Sequence, residues 1–331
     1  MAKYEESTTG RRLAFREILA GHKGWVTSIA ADPRKDSKTF VTCSRDKSVV
    51  VWSATETGGW FKKKSLTQNK GIVEEVAIAP DCSFIAIASW DKTVTLWSPD
   101  TNETKTLEGH TQDVTTVSVS ADSSTIASGS RDGTIRVWNK DGSCVRVLDE
   151  AAKCHGGWVS SVRFAEIAFA SSRKTLLISG GWDNVVKIWN IFAEAPLEFD
   201  HFGHMLQINT VAVSPDNSLC ASADKSGKIL LWDLVNGKYL FTAECEEPVN
   251  AGVFSPIQHW FCAASASAIT VWDIETKSIV EKICTQAVAE ELVKSECKAI
   301  AWSADGTTLF GGYTNGAVCV WEVVGDSHGR G

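Results

Sequence analysis

Long apolar runs are missing from this chain of 331 residues. No stretch of about 18 apolar residues occurs, so no membrane-spanning helix is expected. Residues 1–10 are polar, carry Lys3, Glu5 and Glu6, and lack the apolar core of about 7 to 15 residues that a secretory signal needs. Cys-x-x-Cys is also missing. The ten cysteines are scattered, and Cys43, Cys262 and Cys319 lie in strand-like runs. They read as small buried hydrophobes in a reducing compartment, and the expected location is cytoplasmic. With no secretory signal, the sequon Asn102-Glu103-Thr104 reads as chance. No Gly-x-Gly-x-x-Gly, phosphate loop or metal-ligand cluster is found, so the usual marks of nucleotide and metal enzymes are absent. Neither a cofactor nor a small-molecule substrate is expected. Tyrosine is scarce, three against fourteen tryptophans, and half of those tryptophans belong to a repeat.

That repeat closes on Trp52, Trp97, Trp138, Trp189, Trp232, Trp272 and Trp321, at gaps of 45, 41, 51, 43, 40 and 49 residues. The residue three before each Trp is Val or Ile, and the residue just before it is aliphatic. β-Branched residues suit a pleated, half-buried surface. A period of about 45 residues is that of four-stranded propeller blades. The expected fold is all-β: a seven-bladed propeller over residues 13–323, with flexible tails at residues 1–12 and 324–331. Too few residues follow Trp321 for a fourth strand. Residues 13–19 therefore complete the last blade and remove a sheet edge. Residues 54–71 and 284–297 read as long loops, which in a compact domain usually serve function. The fourth repeat has a longer inner segment at residues 165–174.

Charge is uneven. Residues 11–70 hold thirteen Lys or Arg and five Asp or Glu, against twenty and thirty-five in the remainder. One basic sector on an acidic protein points to a polyanion bound at one place, with other faces left for other partners.

Gly21-His22, Gly109-His110, Gly203-His204, Trp232-Asp233 and Trp272-Asp273 give the chain its resemblance to the WD-repeat family. His155 stands in the fourth repeat without its Gly. Six residues before the Trp, that family has an Asp in a tight turn; here it is Asp46, Asp91, Asp132 or Asp183, replaced by Ser226, Ala266 and Asn315 in the last three repeats. The resemblance implies a buried network in which His bonds Asp, a strand hydroxyl such as Ser44 or Ser130, and the indole N–H of Trp52, Trp97, Trp138 or Trp189. The first, third and fourth blades should be stiffest, and the fifth should have His204 without an Asp. The His-Asp-Ser sets imitate a hydrolase triad, but they recur, whereas an active site should be unique. No enzyme is expected.

A narrower resemblance runs from about Leu13 to Val323. It rests on Gly24-Trp25-Val26-Thr27, Ser44-Arg45-Asp46-Lys47, Gly181-Trp182-Asp183, Val186-Lys187-Ile188-Trp189-Asn190, Val213-Ser214-Pro215-Asp216 and Ala301-Trp302-Ser303-Ala304-Asp305-Gly306. In these phrases the chain is similar to the receptors for activated C kinase. That resemblance implies a scaffold on the head of the eukaryotic small ribosomal subunit, meeting ribosomal RNA and head proteins. It also implies protein kinases and other signalling proteins as partners, and a homodimer among the assemblies to test. The ribosomal contact implied is the Arg45-Asp46-Lys47 turn, with Asp46 inward and Arg45 and Lys47 toward solvent and phosphates. Arg34, Lys35, Lys38, Lys62, Lys63 and Lys64 belong to the same basic sector, although a lysine run is often only a solvated loop. The implied kinase-binding segment is in the sixth repeat: Val249, Asn250, Phe254 and Trp260. Phe241 stands where the family often has Tyr, and the residues after Pro256 include none. Trp90 and Trp182, before the turn Asp, should pack on a neighbouring blade rather than anchor a partner. Rival readings are a G-protein β subunit, for which the long N-terminal helix is lacking, and a generic adaptor.

Overall fold

In the repeats the second and third strands are mostly buried, as in Thr125–Ser130 and Val186–Trp189, which requires that both faces of the sheet be covered. The computed structural model, which describes residues 11–67, 69–149, 154–169, 172–284 and 292–325, shows what covers them. Seven four-stranded antiparallel sheets pack face to face around a central channel.

β1 (Arg11–Ala20) precedes the first full blade, β2 (Val26–Ala31), β3 (Thr39–Ser44), β4 (Val49–Ala54) and β5 (Trp60–Leu66). The second blade is β6 (Val73–Ile78), β7 (Ile85–Ser89), β8 (Thr93–Trp97) and β9 (Thr104–Glu108). The third is β10 (Val114–Val119), β11 (Thr125–Ser130), β12 (Ile135–Asn139) and β13 (Cys144–Leu148). In the fourth, β14 (Val159–Phe169) and β15 (Ser172–Gly181) form a long hairpin before β16 (Val186–Trp189) and β17 (Leu197–His201). The fifth is β18 (Ile208–Val213), β19 (Leu219–Asp224), β20 (Lys228–Asp233) and β21 (Lys238–Glu244). The sixth is β22 (Ala251–Phe254), β23 (Trp260–Ala264), β24 (Ala268–Asp273) and β25 (Ser278–Cys284). The last contains β26 (Cys297–Trp302), β27 (Thr308–Tyr313) and β28 (Ala317–Gly325).

β1 supplies its fourth strand, in the order β1-β28-β27-β26, with Leu13 opposite Val323 and Ala20 opposite Ala317. The ring is thereby closed by the first strand, as the sequence implies. β1 starts at Arg11 and β28 runs to Gly325, so both expected tails are shorter at their inner ends. Their remainder lies outside the described residues.

Burial follows the layers. β7 is buried at every position, whereas the outer strand β9 is exposed except at Leu107. Leu13, Trp302 and Trp321 of the last blade share one core cluster with Trp260 of the adjoining sixth blade. The core is thus a ring of inter-blade layers rather than one centre. Residues 54–71 are not one long loop, because β5 lies within them and pairs Trp52 with Lys62. The lysine run in that strand concealed its alternation. Of the other expected loop, residues 285–291 lie outside the described residues. Among the described residues no helix is long and apolar enough to cross a membrane.

Candidate functional site

The turn between the second and third strands of each blade positions both the buried network and the surface cations. In the first blade His22 Nδ1 lies 3.2 Å from Asp46 Oδ2, and its Nε2 lies 2.7 Å from Thr42 Oγ1. Trp52 Nε1 donates to the same hydroxyl at 2.9 Å. The third blade repeats this with His110, Asp132, Ser128 and Trp138, and the fourth with His155, Asp183, Ser179 and Trp189. Burial pushes the Asp46 and Asp132 carboxyls up, but hydrogen bonds from His22 and Ser48, and from His110 and Thr134, outweigh it. Both end well below the usual carboxylate range.

Two expectations need correction here. The shared hydroxyl is not Ser44 or Ser130 but lies two residues earlier, ten before the Trp. Strand alternation puts both candidate hydroxyls on one face, and position along the strand decides which meets His and Trp. Ser44 and Ser130 instead accept from the backbone N–H of Asp46 and Asp132. The fifth blade does have its acid: His204 Nδ1 lies 2.7 Å from Asp224 Oδ2, with Ser222 and Trp232 completing the set. Asp224 is the last residue of β19, two places before the usual turn position. In the second blade Asp91 caps Thr93 without a His, and Trp97 turns its N–H to Asn102.

The strand registers divide the basic residues. In the first blade Val26, Ser44, Val49 and Leu66 share one end, while Ala31, Phe40, Ser53 and Phe61 lie toward the other. Arg45 and Lys47 therefore sit at one end, and Arg34, Lys35 and Lys38 at the opposite one. The six-residue strands put roughly 20 Å between them. Lys62 and Lys63 are exposed on the outer strand between the ends. Lys64 is half-buried and donates to Pro99 O. Arg34 is bound by Asp32 at 2.6 Å, and this hydrogen bond helps hold the Asp32 carboxyl down at about 2 against its burial. The expected single basic sector is thus an edge and two faces.

Lys47 is exposed, as expected, at φ 67°. Arg45 does not project freely. Its guanidinium lies 3.8 Å from the Trp25 ring centre and 5.6 Å from that of Trp90. Arg131 continues the stack between Trp90 at 4.1 Å and Trp158 at 4.2 Å. Trp158 lies on Trp182 at 4.0 Å, and Lys225 covers Trp182 at 3.8 Å. Lys298 closes the other end over Trp25 at 5.6 Å. A weakly hydrated, planar guanidinium favours an indole face, at about 0.5–2 kcal/mol per contact. Trp90 and Trp182 pack across blades as expected, but as members of a cation–indole belt around the channel mouth. The alternation was available in the sequence. The residue before the turn Asp, or after Asp224, runs Arg45, Trp90, Arg131, Trp182, Lys225 through five consecutive blades.

Val249, Phe254 and Trp260 are core residues, so three of the four side chains in the expected kinase-binding segment offer no surface. The segment includes the inner strand β22, whose apolar side chains the neighbouring blades cover. Asn250 reaches the channel wall, donating to Cys297 O at 2.8 Å, and the buried Phe254 also borders the channel.

The family model described as WD domain, G-beta repeat matches residues 14–53, 60–98, 101–139, 142–190 and 197–233. The chain belongs to the WD-repeat family. The chain is 45% identical over 317 residues to "Cross-pathway control WD-repeat protein 2" of Flammulina velutipes, covering 94% of this chain and 98% of that one. It is 42% identical over 318 residues to "MST50-interacting protein 11" of Pyricularia oryzae, covering 95% and 98%. The first matched WD repeat begins in β1 and ends in β4, so the sequence repeat is offset by one strand from the blade. That offset lets the first strand close the ring. The WD-repeat sets of His, Asp and hydroxyl are buried and recur in four blades, with each hydroxyl also bound by an indole. This geometry holds each blade together and leaves none of these four hydroxyls free as a nucleophile. A WD-repeat propeller of this kind is an adaptor, with its function on its faces.

Proposed function

We propose that this WD-repeat propeller is a cytoplasmic, ribosome-associated, non-enzymatic scaffold of the kind formed by the receptors for activated C kinase. It docks on the head of the small ribosomal subunit through the first blades. Its remaining faces hold signalling proteins, protein kinase C among them. The observation that carries this reading is the Arg45-Asp46-Lys47 turn. Asp46 is drawn inward by His22, which leaves Lys47 exposed at one end of the blade, with the outer-strand cations Lys62 and Lys63 farther along its edge. Such cations meet phosphates and position the protein without reading sequence. Arg45 contributes positive potential at the channel mouth while its guanidinium stays stacked. The relatives support a signalling role by name, one in cross-pathway control and one as an interacting protein.

The test is sedimentation of a cell lysate on a sucrose gradient, comparing wild type with Arg45→Asp/Lys47→Glu. The wild type should travel with small subunits and polysomes. The variant should stay at the top while its circular dichroism remains that of a folded β protein. Wild type confined to light fractions at low salt would leave a signalling adaptor that does not bind ribosomes.

A further inference from the structure

The central channel encloses about 840 Å³, within the range of about 300–1,000 Å³ typical of small-molecule sites. Five cations line it, Arg45, Arg131, Arg163, Lys225 and Lys298, against the two carboxylates Glu74 and Glu75. The chain as a whole carries −7, so the channel reverses the protein's overall sign. A charged cleft with low-dielectric walls focuses ions of the opposite sign.

Glu75 is already engaged, accepting from Arg163 at 2.7 Å and from Val117 N at 2.9 Å. Glu74 faces Arg45 and Arg131, and burial raises its carboxyl above the ordinary range despite them. Arg131 and Lys298 have partners at the channel rim, Asp113 at 2.8 Å and Glu296 at 2.6 Å. Arg45 and Lys225 make no side-chain ion pair among the described residues; their charges rest on indole faces. Stacking satisfies the flat face of a guanidinium but not its N–H edge. Arg45 Nε and Arg131 Nε are buried without an acceptor, while Trp90 Nε1 faces the buried Glu74 carboxylate. Buried donors of this kind call for water or a ligand.

We propose that the channel mouth binds a small polyanion carrying two or more phosphate groups, with Arg45 and Lys225 as its principal cations and the guanidinium N–H groups of Arg45 and Arg131 as its donors. Phosphate fits better than a peptide because the indole faces that would take peptide side chains are covered by cations. What remains unpaired is N–H edges, which match phosphate oxygens. The site goes beyond ribosome docking, and Lys225 lies outside the docking set, so the two readings can fail separately.

The test is calorimetric titration of nuclease-treated, purified full chain with inorganic tripolyphosphate, followed in parallel by the fluorescence of the belt tryptophans. One saturable site per chain is expected. Lys225→Gln should weaken it at least about tenfold. Arg45→Gln should do the same, while Lys35→Gln/Lys38→Gln at the opposite end should leave it unchanged. Absence of saturable binding at millimolar tripolyphosphate would overturn the proposal. So would equal weakening by the Lys35/Lys38 pair, which would mean diffuse attraction, or orthophosphate binding as tightly as tripolyphosphate. Lys225→Gln removes only a half-buried side chain with no hydrogen bond to the network, so the test survives even if Arg45→Gln impairs folding.

Discussion

Asp224 and His204 lie 2.7 Å apart with both side chains fully enclosed, and this pair holds the fifth blade. Ser226 and the backbone N–H groups of Ser226 and Lys228 also donate to Asp224. Removing the carboxylate leaves those donors and the imidazole unpaired in the core. Asp224→Ala should destabilise the protein by about 3 kcal/mol, the scale for a buried charged partner removed from its network. Urea denaturation measures this, and a loss below about 1 kcal/mol would mean that the pair does not hold the blade.

The same network sets the response to acid. The Asp46, Asp132, Asp183 and Asp224 carboxyls are all held down by hydrogen bonds that outweigh burial. A depressed folded pKa gives stability that is present above the unfolded value of about 4 and lost as pH falls below it. His204 is depressed as well, because burial opposes its charging more than Asp224 favours it. Its contribution is present above the unfolded value of about 6.5 and is lost as pH falls through the folded value. His201, lowered by burial, adds to that upper limb. The urea midpoint should therefore decline in two stages on acidification, first below about pH 6.5 and again below about pH 4. His204→Gln should be less stable at neutral pH and show a shallower upper stage. A variant as steep as wild type there would assign that stage elsewhere.

The fold was legible because seven tryptophans at one period declare the blade, and a missing last strand declares the closure. The network was half legible. His22 and Asp46 were plain, but which of two hydroxyls on one strand face His22 meets depends on depth along the strand, and it is Thr42 rather than Ser44. Asp224 escaped because it does the same work from the strand end instead of the turn. The basic sector was misleading in a different way. Arg34 and Arg45 are eleven residues apart in sequence, yet the β2–β3 hairpin sends them to opposite ends. Linear charge counts carry no information about which end of a strand a loop occupies.

Lys47 sits in the left-handed region at φ 67°, where Gly133, Gly227 and Gly316 serve the third, fifth and last blades. Any non-glycine residue there is strained, so the Lys side chain has a conformational cost. Lys47→Gly should leave stability unchanged within about 1 kcal/mol, or raise it, because relief of strain opposes the greater chain entropy of Gly. Ribosome association should nonetheless weaken. Thermal melting and gradient sedimentation of one variant separate the two effects. A stable Lys47→Gly protein that still sediments fully with small subunits would show that the side chain is not a phosphate contact.

Salt dependence can decide which of the separated cations would meet RNA in the proposed docking. Each phosphate contact adds close to one unit to the slope of log affinity against log salt concentration. Lys47 lies at one end of the first blade and Lys62 and Lys63 on its outer edge; Lys35 and Lys38 occupy the far end, beside an Arg34 already paired to Asp32. Binding of the purified chain to isolated small subunits should lose about one unit of slope for each of Lys47→Ala, Lys62→Ala and Lys63→Ala that is a true contact. Lys35→Ala/Lys38→Ala should keep the wild-type slope if docking uses the Lys47 end. The reverse result, with the far-end pair lowering the slope and the three others silent, would turn the propeller over on its ribosomal site and expose the Lys47 end and channel mouth to other ligands.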